Sequence, residues 1–345
     1  MMIFGALFDQ LDSGGDYWNI GVVNNLLSPV AITPDGLGKS TRGTNATGYI
    51  VCQMPSDQSG KTLYIKVNIS LQDNIGNYGM MGITSDATGV TQQIGLCYNP
   101  IINRFQLRRG TTSIATGTWD VNLTGFFTLQ IEVKVDNSTG VFKVYVDGNT
   151  TPDISFTGDT QNQSSASVWG VSFGNDGSNA NCAPYIHDPI VFNSDGTKNN
   201  ALVPINFTGN YITIASDGAS TWTKSTGETA YTLLDELEGE PNDTDYVYTS
   251  TLNARNIVGV SSIPSNVGTV GAVQLNSRML RTETGGIGIT PSLKVGASEK
   301  AGTPVFLSLT ARHYVNIFEY KTGTTPIDAA DLSSVELVHE VTTIN

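Results

Sequence analysis

Six carboxylates crowd into eleven residues: Asp235, Glu236, Glu238, Glu240, Asp243 and Asp245. Calcium takes several hard oxygen ligands, and Gly239, Pro241 and Asn242 would let such a loop wrap an ion. Asp235, Glu238, Asp243 and Asp245 are therefore the candidate metal ligands. The order of an EF-hand loop is absent, so a solvated acidic loop is the plainer reading. Glycoside cleavage asks for two carboxyls about 5–9 Å apart across a cleft. Glu132 and Asp136 share one polar strand face, but Lys134 stands between them and a turn begins at Asp136. No catalytic residue and no cofactor-binding residue is assigned.

Nucleophiles fare no better. Gly170-Val-Ser172-Phe-Gly174 has the letters of a nucleophile elbow, but it alternates like a strand and Asn175-Asp-Gly-Ser follows where a helix should start. Cys182 and His187 lie five residues apart, and a buried thiol beside a satisfied histidine explains them. The three histidines, His187, His313 and His339, have no metal-ligand spacing. Cys52, Cys97 and Cys182 fit neither a zinc site nor a disulfide framework, so buried free thiols in a reducing cytoplasm are expected. Thr284-Gly-Gly-Ile-Gly-Ile-Thr290 lacks the Lys-Ser/Thr of a phosphate loop and reads as a hairpin turn. Trp18, Trp119, Trp169 and Trp222 would stack on sugars if exposed, and otherwise fill a core.

The elements that must carry these residues are strands. Leu63, Ile65, Val67, Ile69 and Leu71 alternate with Tyr64, Lys66, Asn68 and Ser70. Leu129, Ile131, Val133 and Val135 alternate with Gln130, Glu132 and Lys134. Phe142, Val144 and Val146 follow after Asp136-Asn-Ser-Thr-Gly140, which predicts a hairpin, and Asp147-Gly148 predicts the next turn. The apolar members are expected in a core, the polar members toward water or a partner. Ile186–Phe192 contains Pro189, which predicts an edge strand. Met1–Phe8 lacks a basic segment and reads as an opening strand or buried arm, not a signal peptide. Residues 193–200 carry no apolar side chain and predict a domain boundary, with a first domain over 1–196 and a second over 197–345. The second half predicts short strands at Tyr211–Ile214, Tyr246–Ser250, Thr269–Ser277, Leu293–Val295, Val305–Leu309 and His313–Tyr320. Its helix candidates are Thr232–Leu237 and Pro326–Glu336.

Composition agrees. The 345 residues include 37 glycines and only 14% charged residues, too few charges for a coiled coil and a pattern expected of an all-β protein of two domains. Lys plus Arg is 18 against 31 Asp plus Glu, with no basic stripe, so nucleic acid is not expected as a partner. No apolar run approaches the length of a membrane helix, and no membrane insertion is expected.

The segments KTLYIKVNISL, GLCYNPIINRFQLRRG, GFFTLQIEVKVDNSTGVFKVYVDG and PYIHDPIVFNSDG resemble, in that order, the concanavalin A-like (laminin G-like) jelly-roll β-sandwich, over about residues 1–196. Five further segments, SDGTKNN, STWTKST, LLDELEGEPNDTDYVYTST, VGTVGAVQLNSRMLR and DAADLSSVELVHEV, extend the likeness to a class of tailed-phage virion proteins in which such a sandwich precedes a smaller β-rich domain. That resemblance implies a structural component of the particle, tail-associated or a capsid-surface decoration. It would be made in the host cytoplasm and held by contacts with other virion proteins and with copies of itself. It implies no enzyme, no cofactor and no calcium ligand that can be carried over. The alternative is a carbohydrate-binding module of the tail that recognises a host-surface glycan.

Overall fold

The computed structural model describes residues 2–5, 20–24, 26–32, 39–43, 49–54, 56–71, 78–86, 91–121, 123, 125–174, 184–209, 212–234, 244–261 and 267–344. The chain is all-β. Among the described residues the only helices are two 3-10 turns, Tyr231–Leu233 and Asp331–Ser334. Two compact units divide it, Met1–Gly209 and Asn210–Asn345.

The first unit contains β1 (Met2–Gly5), β2 (Ile20–Asn24), β3 (Leu26–Ile32), β4 (Lys39–Gly43), β5 (Tyr49–Gln53), β6 (Thr62–Ser70), β7 (Tyr78–Thr84), β8 (Gln92–Asn99), β9 (Arg104–Arg109), β10 (Thr112–Thr116), β11 (Phe126–Lys134), β12 (Gly140–Val146), β13 (Ile154–Gly158), β14 (Gly170–Phe173) and β15 (Tyr185–Asn193). They form two antiparallel sheets. One runs β13-β12-β11-β6-β15-β4-β3 with β1 also on β15, and the other runs β10-β9-β8-β7-β14-β5-β2. The chain crosses between sheets after β1, β2, β4, β5, β6, β10, β13 and β14, so each sheet interleaves strands distant in sequence. One apolar core joins the two inner faces. Leu63, Ile65, Val67, Ile69, Leu129, Ile131, Val133, Phe142, Val144 and Val146 come from one sheet, and Met81, Ile83, Ile94, Leu96, Phe105, Leu107, Val171 and Phe173 from the other. Burying each side chain of this size contributes about 1.5–3 kcal/mol before the entropy of ordering it is subtracted.

The expected hairpin is present, with Leu129 opposite Val146 and Val133 opposite Phe142. Asp136 Oδ1 accepts the backbone N–H groups of Ser138 and Thr139 at 2.9 and 2.8 Å. Those bonds hold the carboxylate down at about 2. Gly140 is required, because a Cβ there would stand 1.9 Å from Thr160 Oγ1. Asp147 and Gly148 both have positive φ, at 49° and 74°, as a type I′ turn demands.

The strand containing Pro189 is not at an edge. β15 pairs β6 on one side and β1 and β4 on the other. A register shift between His187 and Ile190 absorbs the proline, whose missing N–H costs no ladder bond there. Asp188, at φ 49°, turns into this bulge.

The outer face of this sheet, expected toward water or a partner, is covered in part by the chain itself. Residues 201–209 lie across it and belong to the sandwich, so the two units part at Gly209, beyond the polar stretch at 193–200. Val203 and Phe207 pack on Ile190, Phe192 and Tyr64 in a second small core. The Phe192 and Phe207 rings meet edge-on with centroids 5.5 Å apart. Gln130 Nε2 donates to the Val203 carbonyl at 2.6 Å. Lys66 Nζ donates to the Phe207 carbonyl at 2.8 Å and to Asp188 Oδ2 at 3.0 Å. The Gly209 N–H reaches Asp188 Oδ1 at 3.3 Å. Lys66 and Asp188 are 1% and 2% exposed at their side chains, so this is a buried ion pair. Burial pushes the Asp188 carboxyl upward, and the Lys66 charge opposes that.

The second unit contains β16 (Ile214–Asp217), β17 (Thr223–Lys224), β18 (Val247–Tyr248), β19 (Arg255–Val260), β20 (Val273–Met279), β21 (Ile287–Val295), β22 (Ser298–Ala301), β23 (Val305–Phe306), β24 (Arg312–Phe318), β25 (Tyr320–Thr322), β26 (Thr325–Pro326) and β27 (Val335–Ile344). A sheet ordered β16-β19-β27-β21-β22, with β23 on β21, packs against the β20–β24 pair; β17–β18 and β25–β26 are separate ribbons. Leu275, Phe318, Leu293, Val295, Ile327, Leu332 and Val335 make its core. The helix expected over Pro326–Glu336 is corrected to the end of β26, one 3-10 turn and the start of β27. Val335 and Leu337 there take the period-two positions that fill the core. At 232–237 only the 3-10 turn Tyr231–Leu233 forms, and residues 235–237 lie outside the described residues. The glycine-rich stretch 284–290 is not a hairpin turn: residues 287–290 begin β21, which does not pair with β20, and Arg281 holds the loop ahead of it through the carbonyls of Glu283, Gly285 and Leu307.

Two stability predictions follow from these buried groups. Lys66→Met leaves Asp188 buried without its cation and should cost about 3–5 kcal/mol in urea unfolding, while the double change Lys66→Met/Asp188→Leu should cost less. In the second unit, burial pushes His339 down from 6.5 to about 4. Between those values the unfolded chain holds a proton that the folded chain does not. Stability should therefore fall as pH drops from 6.5 to 4, and His339→Gln should flatten that slope in thermal melts.

Candidate functional site

The sequence candidates do not assemble into chemistry. Asp235, Glu238 and Asp243 lie outside the described residues. Asp245 is described and half-buried, with Oδ1 enclosed and lacking a hydrogen-bond partner. Among the described residues no group of three His, Cys, Asp or Glu side chains could hold a metal ion. Glu132 is taken by Lys143 at 3.0 Å across the β11–β12 pair, and Asp136 is spent on its turn, so they do not form an acid/base pair. Ser172 is wholly buried in β14, donating to the Gly82 carbonyl at 3.2 Å and accepting from Gln92 Nε2 at 3.0 Å. It is a core-strand serine and not an elbow. His187 is buried in β15 beside Asp188, and Cys182 lies outside the described residues. Cys52 and Cys97 are buried and not joined in a disulfide, and burial pushes the Cys52 thiol well up.

Among the described residues no tryptophan is fully exposed. Trp119 packs on Phe105 and Phe127 with centroids 5.5 and 5.3 Å away, at the edge of the sandwich core. Trp169 and Trp222 are half-buried, and Trp18 lies outside the described residues.

Exposed aromatic surface sits elsewhere, on the β17–β18 ribbon. Tyr248 ends β18 and Tyr246 immediately precedes it, two residues back and on the same side of the chain. Each is 49% exposed, and their rings lie with centroids 5.8 Å apart at 57°. Thr223 faces Tyr248 across the ribbon. Ser225 anchors the other end, with its N–H on the Tyr246 carbonyl at 2.9 Å and its hydroxyl accepting the Tyr246 N–H at 2.8 Å. Two flat apolar rings therefore stand in a border of hydroxyl-bearing side chains. Apolar ring faces with a few placed polar groups suit a ligand with both C–H and O–H surface. Sequence reading missed this pair because it weighed tryptophan above tyrosine. The legible signal is Tyr-x-Tyr on a strand too short to bury either ring.

A second polar surface lies on the outer face of the seven-stranded sheet. Asn99, Arg104, Gln106 and Arg108 are half-buried on neighbouring strands, with Asn99 Nδ2 on Gln106 Oε1 at 3.1 Å. Arg108 Nε is enclosed and lacks a partner. Gly82 and Gly95 lie opposite one another beside this row and add no side chain to its floor.

No protein-family model and no curated protein matches the chain. Among solved structures, a sialidase of Trypanosoma rangeli aligns with 49% of this chain at 14% identity and a TM-score of 0.35; the alignment spans 26% of the sialidase's own length. A carbohydrate-binding module of Bacillus subtilis aligns over 47% of this chain and 92% of its own, at 14% identity and a TM-score of 0.29. A galectin of Caenorhabditis elegans aligns over 49% and 96%, at 9% identity and a TM-score of 0.29.

Proposed function

We propose that this chain is a carbohydrate-recognition module of a tailed phage particle, made to hold a host-surface glycan. The observation that carries the reading is the Tyr246–Tyr248 pair, half-exposed, side by side and edged with hydroxyls. Aromatic rings present a negative face to the polarised C–H bonds of a sugar, and the neighbouring hydroxyls suit its O–H groups. The polar row Asn99, Arg104, Gln106 and Arg108 supplies planar hydrogen-bonding groups of the kind that fix a sugar's orientation. The particle setting rests on the ordered sequence resemblance. Fold alone names no ligand.

A second reading, assembly through protein contacts with other virion proteins or with copies of itself, has its own support. Phe306 and Leu309 are 65% and 54% exposed, and Leu280 and Ile344 are each 42% exposed. Phe306 is paired beside Gly288, Ile344 beside Ile287, and the Arg281–Ser308 backbone bond brings Leu280 toward Leu309. Exposed apolar side chains gathered at one end of a sheet suit an interface.

The two readings separate by experiment. Tyr246→Ala/Tyr248→Ala removes little buried surface and should leave the melting temperature within a degree or two, yet abolish binding on an array of bacterial surface glycans. An array on which the native protein finds no ligand sinks the glycan reading. Phe306→Asp/Leu309→Asp should convert any self-associated protein to monomer in light scattering. A native chain that is monomeric at every concentration and never joins particles sinks the assembly reading.

A further inference from the structure

β9 carries Arg104, Arg108 and Arg109 within a single short strand. Arg104 is paired with Asp120, and Arg109 with Asp159. Arg108 is half-buried, has no carboxylate partner among the described residues, and keeps its Nε enclosed without an acceptor. Carboxylates are not scarce in this chain, with 31 acidic residues against 18 Lys plus Arg, yet none is placed on Arg108.

The groups beside it are donors too. Phe105 and Leu107 face the core, so Gln106 and Arg108 share the outer face of β9. The Ile101 N–H donates to Asn99 Oδ1 at 3.0 Å, which fixes the Asn99 amide and leaves its nitrogen for Gln106. That nitrogen donates to Gln106 Oε1 at 3.1 Å. One backbone N–H thus sets both amides, and the part of the Gln106 amide left uncommitted is its Nε2 donor. Ser113, exposed on β10, is the cross-strand neighbour of Arg108 on one side. Gly95 on β8 is its neighbour on the other, and has no side chain to block the guanidinium. The hairpin that carries the row is fastened by Tyr98, whose hydroxyl donates to Asn103 Oδ1 at 2.9 Å, so these groups are in place before a ligand arrives.

A guanidinium has no acceptor, and Gln106 has spent its own on Asn99. A sugar hydroxyl set against such groups would find no acceptor for its proton. A carboxylate only accepts, and its two oxygens fit the planar fork of an arginine. We propose that Arg108, with Gln106 and Ser113 beside it, binds the carboxylate of an acidic sugar residue. This subsite rests on the glycan reading above and narrows it to carboxylate-bearing glycans. The chain's net charge of −13 repels a polyanion at a distance, so the contact is local, one carboxylate held at short range.

The test is an array of bacterial surface glycans printed twice, once intact and once with the sugar carboxyls reduced to primary alcohols, and probed with the full-length protein. Binding to carboxylate-bearing glycans is expected, with about a tenfold or greater loss of affinity once their carboxyls are reduced. Arg108→Gln breaks no ion pair, so it should melt near the native temperature and still lose about tenfold or more on the intact acidic glycans. Gln106→Glu can accept the same Asn99 bond but turns the remaining donor into an anionic acceptor. It should weaken binding as much, and it carries the test if Arg108→Gln fails to fold. Equal binding to both printings overturns the proposal, as does binding to neutral glycans alone or to sulfated and phosphorylated ones alone; each of these leaves the glycan reading standing. A folded Arg108→Gln or Gln106→Glu with native affinity overturns it as well. Silence on every glycan overturns both this subsite and the glycan reading.

Discussion

A β-strand sends alternate side chains to opposite faces, and this constraint organises the molecule. Leu63 through Ile69 on β6 and Leu129 through Val133 on β11 put one apolar row inside, and the second sheet answers with Ile94, Leu96, Phe105 and Leu107. With charges at only 14% of residues there is little ionic scaffolding to fall back on. The inner rows hold the sandwich closed, and turns such as Asp136–Gly140 and Asp147–Gly148 fix the register that keeps those rows inward.

The same rule creates a second problem, because a strand in the middle of a wide sheet also has an outer face. On β6, β11 and β15 that face carries Lys66, Gln130, Ile190 and Phe192, too mixed to be left to water or to pack alone. The covering segment 201–209 resolves both halves at once. Val203 and Phe207 cover the apolar members, while their carbonyls take the donors of Gln130 and Lys66. Asp188 completes the set because the bulge made for Pro189 turns it inward. A charge pair buried this deeply adds little net stability against an apolar substitute.

This explains which parts were legible in the sequence. The alternation of β6, β11 and β12, their hairpin turns and the core identities of Leu129, Ile131, Val133, Phe142, Val144 and Val146 are local properties, and local pattern determines them. The position of β15 was not legible, since Pro189 argues for an edge unless a bulge absorbs it, and a bulge leaves no mark of its own in one sequence. Nor was the covering segment, whose apolar residues Val203 and Phe207 are too few to form a pattern. Pro326–Glu336 has a good helix start, but its last residues fit a core strand better, and tertiary packing overrode the local preference. The hydrogen bond between Ser277 and His339 joins residues 62 apart in different layers, beyond the reach of spacing rules.

The exposed aromatic pair follows from the same economy of burial. β17 and β18 are two residues each, and among the described residues the two strands of this ribbon pair only with each other. Tyrosines placed on it are solvated on one side, a position that folding does not favour for rings so large. Within the sandwich the aromatic residues behave otherwise: Phe105, Phe127 and Trp119 close on one another inside the core edge. Tyr246 and Tyr248 lie side by side and half-exposed, surface that stability does not require. The glycan contact proposed above would be a reason to keep it, since a phenol suits both water and the apolar face of a sugar.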